Sequence, residues 1–264
     1  MTRLNNYLIE AKEIRSKMLT EQEAIDIINK DCSIILDKYK RHPNWKIYRG
    51  LKIAGNWLFT DPAKGTPRFS KGHIGNYYTL LMDNLPIWKK YPKRSKSIIC
   101  TNSFSDAATY GDIYVVFPFN NANFGVAPAG DIWLGFLGTI GQLRIFVRDL
   151  KILLEKTTHG VANFDKDWNR LTRSFKASEE FIKSEKSDEV INAFKQYNKD
   201  WINDIINGKS YIETFNKYMS PSKNQFDTTK RPTEVTRGRE LWTDSKCVLV
   251  YEKLVHKIMG VEDD

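Results

Sequence analysis

Three short segments, far apart in the chain, carry side chains suited to work on a phosphorylated sugar. Arg49 ends an apolar run, IYRGL (47–51), and is followed by Gly50. A guanidinium placed there can fork two hydrogen bonds onto a phosphate, and the glycine lets backbone approach a ligand. The second segment is SKSIICTNSFSDAATYG (95–111), in which Ser97 and Thr101 can present hydroxyls to a ribose or to a neighbouring carboxylate. The third is Glu240, which opens ELWTDSKCVLV (240–250) after a polar, basic stretch. A carboxylate held rigidly at a sheet edge can stabilise positive charge developing at a sugar C1 atom, or accept a ribose hydroxyl. Each segment alone has an ordinary alternative: a surface arginine in a turn, an edge strand with a Ser/Thr turn, a glutamate before a strand. The weight lies in all three together, and the reading requires Arg49, Ser97 and Glu240 to converge on one cleft.

Other chemistry finds no support in the residues. There is no GxGxxG after a strand, no Walker A loop and no HExxH pair. Cys32, Cys100 and Cys247 are odd in number, widely spaced and set in apolar runs. They read as small buried hydrophobes rather than disulfide partners or zinc ligands.

The elements that would position these residues alternate in texture. Thr20 to Lys40 reads as a helix, with a Thr20/Glu23 capping box and a stripe of Ile25, Ile28, Cys32, Ile35, Leu36 and Tyr39. From Trp45 to Trp133, short apolar runs separated by Gly, Pro, Asn and Asp predict strands at 47–51, 97–100, 112–119 and within 124–133. A short helix before Pro86 interrupts them. Residues 149–219 read as helical, with Ser187 capping a helix whose stripe runs from Val190 to Ile205 and stops at Gly208. The aromatics of this region suit packing better than base stacking. SPSKNQFDTTKRPTEVTRGR (220–239) reads as a long exposed loop leading to a buried strand, CVLVY.

IYRG, then SIICTNSFSDAATYGDIYVVF, then a long loop and ELWTDSKCVLV, together resemble the R-S-E class of mono-ADP-ribosyltransferases, including its phage-borne or phage-defence members. In that class a strand-borne Arg precedes a strand bearing a Ser-Thr-Ser-like segment, and a loop delivers a Glu at the start of a late strand. The likeness spans about half the chain, 47–111 and 220–250. It implies a single α+β domain built on a split, mainly antiparallel sheet. Residues 1–44 would form a helical N-terminal part, 45–148 the NAD-binding strands, 149–219 a helical insertion, and 220–264 the acceptor loop and catalytic strand.

The resemblance also implies NAD+ as substrate and no metal. Arg49 and Gly50 would hold the pyrophosphate region. Ser97, with Thr101 adjoining, would support the nicotinamide ribose and orient the catalytic Glu240. Arg68 and Ser70 would add a second anion-binding corner, and Tyr77, Tyr78 or Phe104 a face for nicotinamide to stack on. Cys100-Thr101-Asn102 stands where the class often shows Ser-Thr-Ser. Gly238 stands where arginine-modifying members often carry Glu or Gln.

The chain of 264 residues carries a formal net charge of +9, which favours an anionic partner. Lys223, Lys230, Arg231, Arg237 and Arg239 lie in or beside the loop before Glu240 and suit a phosphate backbone, so RNA or DNA is favoured over protein as acceptor. Two rival functions remain: a non-catalytic, basic nucleic-acid-binding protein, and a plain NAD glycohydrolase. The first residues contain no long apolar stretch of signal-peptide type and the sequence holds no apolar run long enough to span a membrane, so a reducing cytoplasm is expected, that of a host if the chain is phage-encoded.

Overall fold

The computed structural model describes residues 16–52, 55–67, 76–158, 167–184 and 188–260. Packing divides the chain into two units. The first comprises Met1–Arg68, Tyr91–Asp131 and Asp227–Asp264; the second comprises Phe69–Lys90 and Ile132–Phe226. The helical segment expected at 149–219 therefore lies in a unit that also takes in 76–90 and 132–148.

The first unit is an α+β layer structure on an antiparallel nine-stranded open sheet. In chain order its strands are β1 (Lys17–Met18), β2 (Tyr48–Leu51), β3 (Trp57–Thr60), β4 (Ile98–Thr101), β5 (Asp112–Pro118), β6 (Phe124–Val126), β7 (Asp227–Thr229), β8 (Glu240–Thr243) and β9 (Cys247–Tyr251). Their order across the sheet is β1-β3-β9-β5-β2-β4-β8-β6-β7. The β2–β4 ladder holds one register pair, Tyr48 opposite Thr101, whereas β5–β9 holds five. The sheet is thus weakly joined at its centre.

Alternation along the strands feeds two cores. Val115, Phe117, Val248 and Val250 pack under the helices α1 (Glu21–Asp31) and α2 (Ser33–Arg41). Ile47, Leu51, Ile98, Cys100, Val116, Leu241 and Leu249 form the core on the other face. All three cysteines are buried and free.

The capping box at Thr20 and Glu23 starts α1 as the sequence indicates. The single helix expected through Lys40 is broken at Cys32, and the cause is Asn120. Its N–H donates to the Asp31 carbonyl (2.7 Å) and its Oδ1 accepts the Ile34 N–H (3.0 Å). Backbone groups that would continue one helical ladder are diverted to the turn after β5.

In the second unit, α3 (Tyr77–Asn84) ends before Pro86 as expected. It is joined by α5 (Leu143–Thr157), α6 (Trp168–Ile182), α7 (Asp188–Lys195), α8 (Asp200–Ile206) and α9 (Tyr211–Tyr218); α4 (Phe104–Ala108) and α10 (His256–Met259) belong to the first unit. Ser187 lies outside the described residues. The stripe from Val190 to Ile205 is divided between α7 and α8 because Asn198 adopts φ 47°, which no continuous helix accommodates. Phe146, Phe175, Trp201, Tyr211 and Phe215 form an aromatic core, with Phe175 and Tyr211 stacked 4.5 Å apart.

The stretch 220–239 is not one exposed loop. Asn224 is buried, donating to the Tyr218 and Ser220 carbonyls and accepting from Thr139. Phe226 packs on Trp88 and Phe136. These anchors hold 220–226 in the helical unit. Beyond them come β7 and a short 3-10 turn, Pro232–Glu234. A segment rich in polar and turn residues reads as loop, and two buried side chains suffice to fix it.

Candidate functional site

The strands carrying the three predicted segments are consecutive neighbours: β2, β4 and β8. Thr101, at the end of β4, stands opposite Tyr48 on one side and Glu240 on the other. Two strand spacings separate the outer members of this row, about 10 Å between backbones.

Gly50 is required by packing. A Cβ there would lie 2.0 Å from the Ala107 carbonyl oxygen, so α4 can rest on β2 only over a glycine. Helix α4 is started by Ser103, whose hydroxyl accepts the Asp106 N–H. It presents Phe104, half exposed, edge-on to Tyr48 at 5.5 Å.

Arg49 does not share a face with Thr101 and Glu240 by alternation. It lies in register with Tyr114, between Ile47 and Leu51 on the face of the second core, whereas Tyr48, Thr101 and Glu240 occupy the other face. Its guanidinium instead reaches across to β4 beyond the single Tyr48–Thr101 pair, where Nη1 donates to the Ile99 carbonyl at 2.9 Å. The expected convergence of Arg49, Ser97 and Glu240 on one cleft is therefore not seen: alternation sets Arg49 on the face opposite Glu240, and its guanidinium is bound to the β4 backbone.

Glu240 is fixed from both sides. Its N–H donates to the Ala129 carbonyl (3.0 Å), its carbonyl accepts the Ala127 N–H (2.9 Å), and β4 pairs with its other edge. The carboxylate forms an ion pair with Arg94 at 2.7 Å, both side chains being largely buried. Arg94 lies over the Trp242 ring, 5.3 Å from its centroid, and Trp242 Nε1–H donates to the Pro92 carbonyl. Tyr91 stacks on the same indole, and its hydroxyl is pushed up to about 12 by burial, with Asp227 adding to the shift. Gly125 makes room for this indole, since a Cβ there would meet it at 2.2 Å.

Arg94 is the residue that sequence reasoning missed. It sits in KKYPKRSK (89–96), where one cation among several carries no distinguishing signal. Only the three-residue turn Arg94–Lys96, leading into β4, brings it against β8.

Ser97 falls outside β4, four positions from Thr101, or about 13 Å along an extended chain. Its hydroxyl donates to the Lys93 carbonyl at 2.8 Å. The hydroxyl beside Glu240 is therefore that of Thr101, whose oxygen accepts the Ser103 N–H. The signal for this was present: Cys100-Thr101-Asn102 is the triplet that stands in the Ser-Thr-Ser place.

Tyr77 and Tyr78 are buried in the second unit, Tyr78 against Trp133 at 5.2 Å, so packing already covers their rings. Arg68 and Ser70 lie outside the described residues. Of the loop cations, Lys223 belongs to the second unit. Arg231 pairs with Glu234 at 3.6 Å, Arg237 donates to the Asn44 carbonyl at 2.7 Å, and Lys230 is exposed. Gly238 adopts φ 76°, so a Glu or Gln there would carry backbone strain.

Among the described residues no group of three or more His, Cys, Asp and Glu is placed to hold a metal, and no helix is long and apolar enough to cross a membrane. No family model matches the chain, and neither a curated protein nor a solved structure matches it.

Proposed function

We propose that this chain transfers ADP-ribose from NAD+ to a macromolecular acceptor, on a split-sheet fold of the ADP-ribosyltransferase kind. The observation that carries the reading is the adjacency of β2, β4 and β8, with Thr101 directly opposite Glu240 and the Arg49 guanidinium on the β4 backbone. The strands of the three segments, drawn from 47–111 and 220–250, lie side by side, although Arg49 and Glu240 face opposite sides of the sheet.

In this reading Arg49 receives the pyrophosphate and Phe104 offers a face to nicotinamide, while Gly50, expected to admit a ligand, is instead covered by α4. The glycosidic bond between the ribose C1 atom and the nicotinamide nitrogen breaks, and its electron pair leaves with neutral nicotinamide. Positive charge spreads over C1 and the ring oxygen, and the Glu240 carboxylate stabilises it. Thr101 can donate its proton to that carboxylate or to a ribose oxygen. The acceptor nucleophile then bonds to C1, and Glu240 takes up the proton it releases.

Exposed Lys230 and the net charge of +9 support a polyanionic acceptor over a basic protein. The test is incubation of the protein with NAD+ labelled in its adenylate part and with separate pools of protein, RNA and DNA. Label in a nucleic-acid pool, with stoichiometric release of nicotinamide, is the expected result. Nicotinamide release with no labelled pool identifies a glycohydrolase, and no release removes the enzyme reading.

A further inference from the structure

The segment that leads into β4 closes over one face of β8. Glu240 and Trp242 lie two positions apart on β8 and share that face by alternation. Three groups from 91–94 reach them. The Tyr91 ring stacks on the indole, the Pro92 carbonyl accepts the indole N–H at 3.0 Å, and the Arg94 guanidinium lies over the indole while pairing with the Glu240 carboxylate at 2.7 Å. The turn that carries Arg94 is closed in its own right. The Lys93 carbonyl accepts both the Lys96 N–H (3.0 Å) and the Ser97 hydroxyl (2.8 Å).

The Arg94 and Glu240 side chains are only 8% and 12% exposed, so water has little part in holding either. A carboxylate withdrawn from water to this degree is costly unless a counter-ion compensates it. Arginine suits the place because its flat guanidinium can stack on a ring and still direct N–H groups at an oxygen. A lysine ammonium is a compact point charge and has no flat face for the ring. The indole thus fixes Arg94, and Arg94 fixes Glu240.

We propose that Arg94 is a positioning residue for Glu240: held against the Trp242 indole, it keeps the negative carboxylate in one direction before NAD+ arrives. This rests on the reading of Glu240 given above. Such preorganisation acts on the charge that develops at the ribose, so its loss falls on the chemical step and not on NAD+ binding.

The experiment uses the full chain with Arg94→Ala, which leaves room for a free guanidinium ion, and Arg94→Lys, which keeps a cation. Nicotinamide release from NAD+ is followed where urea titration shows each variant folded. It is repeated with guanidinium chloride at sub-denaturing concentration and with sodium chloride at the same ionic strength. The expected kcat is lower by about tenfold or more in Arg94→Ala and by about threefold or more in Arg94→Lys, with KM within about threefold of native in both. Guanidinium, and not sodium, should raise kcat of Arg94→Ala by about threefold or more. A merely structural role gives kcat and KM worsening together, or no response to guanidinium, and either result overturns the proposal. So does a kcat within about twofold of native in Arg94→Lys, the variant that decides alone if Arg94→Ala does not fold. If the native protein releases no nicotinamide, the reading of Glu240 fails and the proposal with it; native release with the variants unaffected removes the proposal alone.

Discussion

At the scale of single residues, one hydroxyl and one cation accompany Glu240. Thr101 is opposite the carboxylate, while Ser97 is four positions away and donates its proton to Lys93. Thr101→Val should therefore lower NAD+-dependent transfer by about tenfold or more, and Ser97→Ala should leave it within about twofold, both read as kcat/KM. Equal effects would return the role to Ser97. Arg94 yields a second expectation. Removing one partner of a buried ion pair leaves the other uncompensated, typically at a cost of about 3–5 kcal/mol. Arg94→Met should lose stability of that order by denaturant titration. Adding Glu240→Gln to it should restore part of the loss, a coupling that an exposed pair would not show. Arg49 and Glu240 were singled out by residue type alone, and the strand order sets β2 and β8 on either side of β4. Arg94 was not singled out, because its importance is a matter of what faces it.

At the scale of elements, both strengths and failures of sequence reading have local causes. β5 and β9 emerge close to their expected bounds because alternating or continuous apolar runs bounded by turn residues specify strands directly. The break between α1 and α2 was invisible, since it is imposed by Asn120 from more than eighty positions away. The helical unit offers a test of a tie between two neighbouring helices, α8 and α9. Burial pulls Asp204 upward, but hydrogen bonds from Lys217 (2.8 Å), Lys209 (2.9 Å) and Tyr218 outweigh it and hold the carboxyl at about 2. An unfolded aspartate titrates near 3.9, about two units higher. The stability this carboxylate contributes is therefore full above about pH 4 and is lost as pH falls towards 2. Asp204→Asn should lower the urea midpoint at pH 6 and converge with the native protein near pH 2. A difference that grows on acidification would contradict this assignment.

At the scale of the whole molecule, a net charge of +9 acts by steering, which falls off with salt. Lys230→Glu with Arg231→Glu reverses two exposed loop charges without touching the row of Tyr48, Thr101 and Glu240. Modification of RNA or DNA should drop several-fold and lose part of its salt dependence, while hydrolysis of NAD+ stays near native. Strong transfer to protein, indifferent to the double reversal, would reassign the acceptor. The central claim is narrower, that Glu240 is the catalytic carboxylate of an NAD+-consuming enzyme. Glu240→Gln keeps size and an oxygen for Arg94 but removes the charge that would stabilise the sugar cation. The most direct measurement compares native protein and Glu240→Gln for nicotinamide release and for NAD+ affinity. If Glu240 is that carboxylate, release slows by about a hundredfold or more, with affinity changed by only a few-fold. Release at close to the native rate in the variant would contradict it.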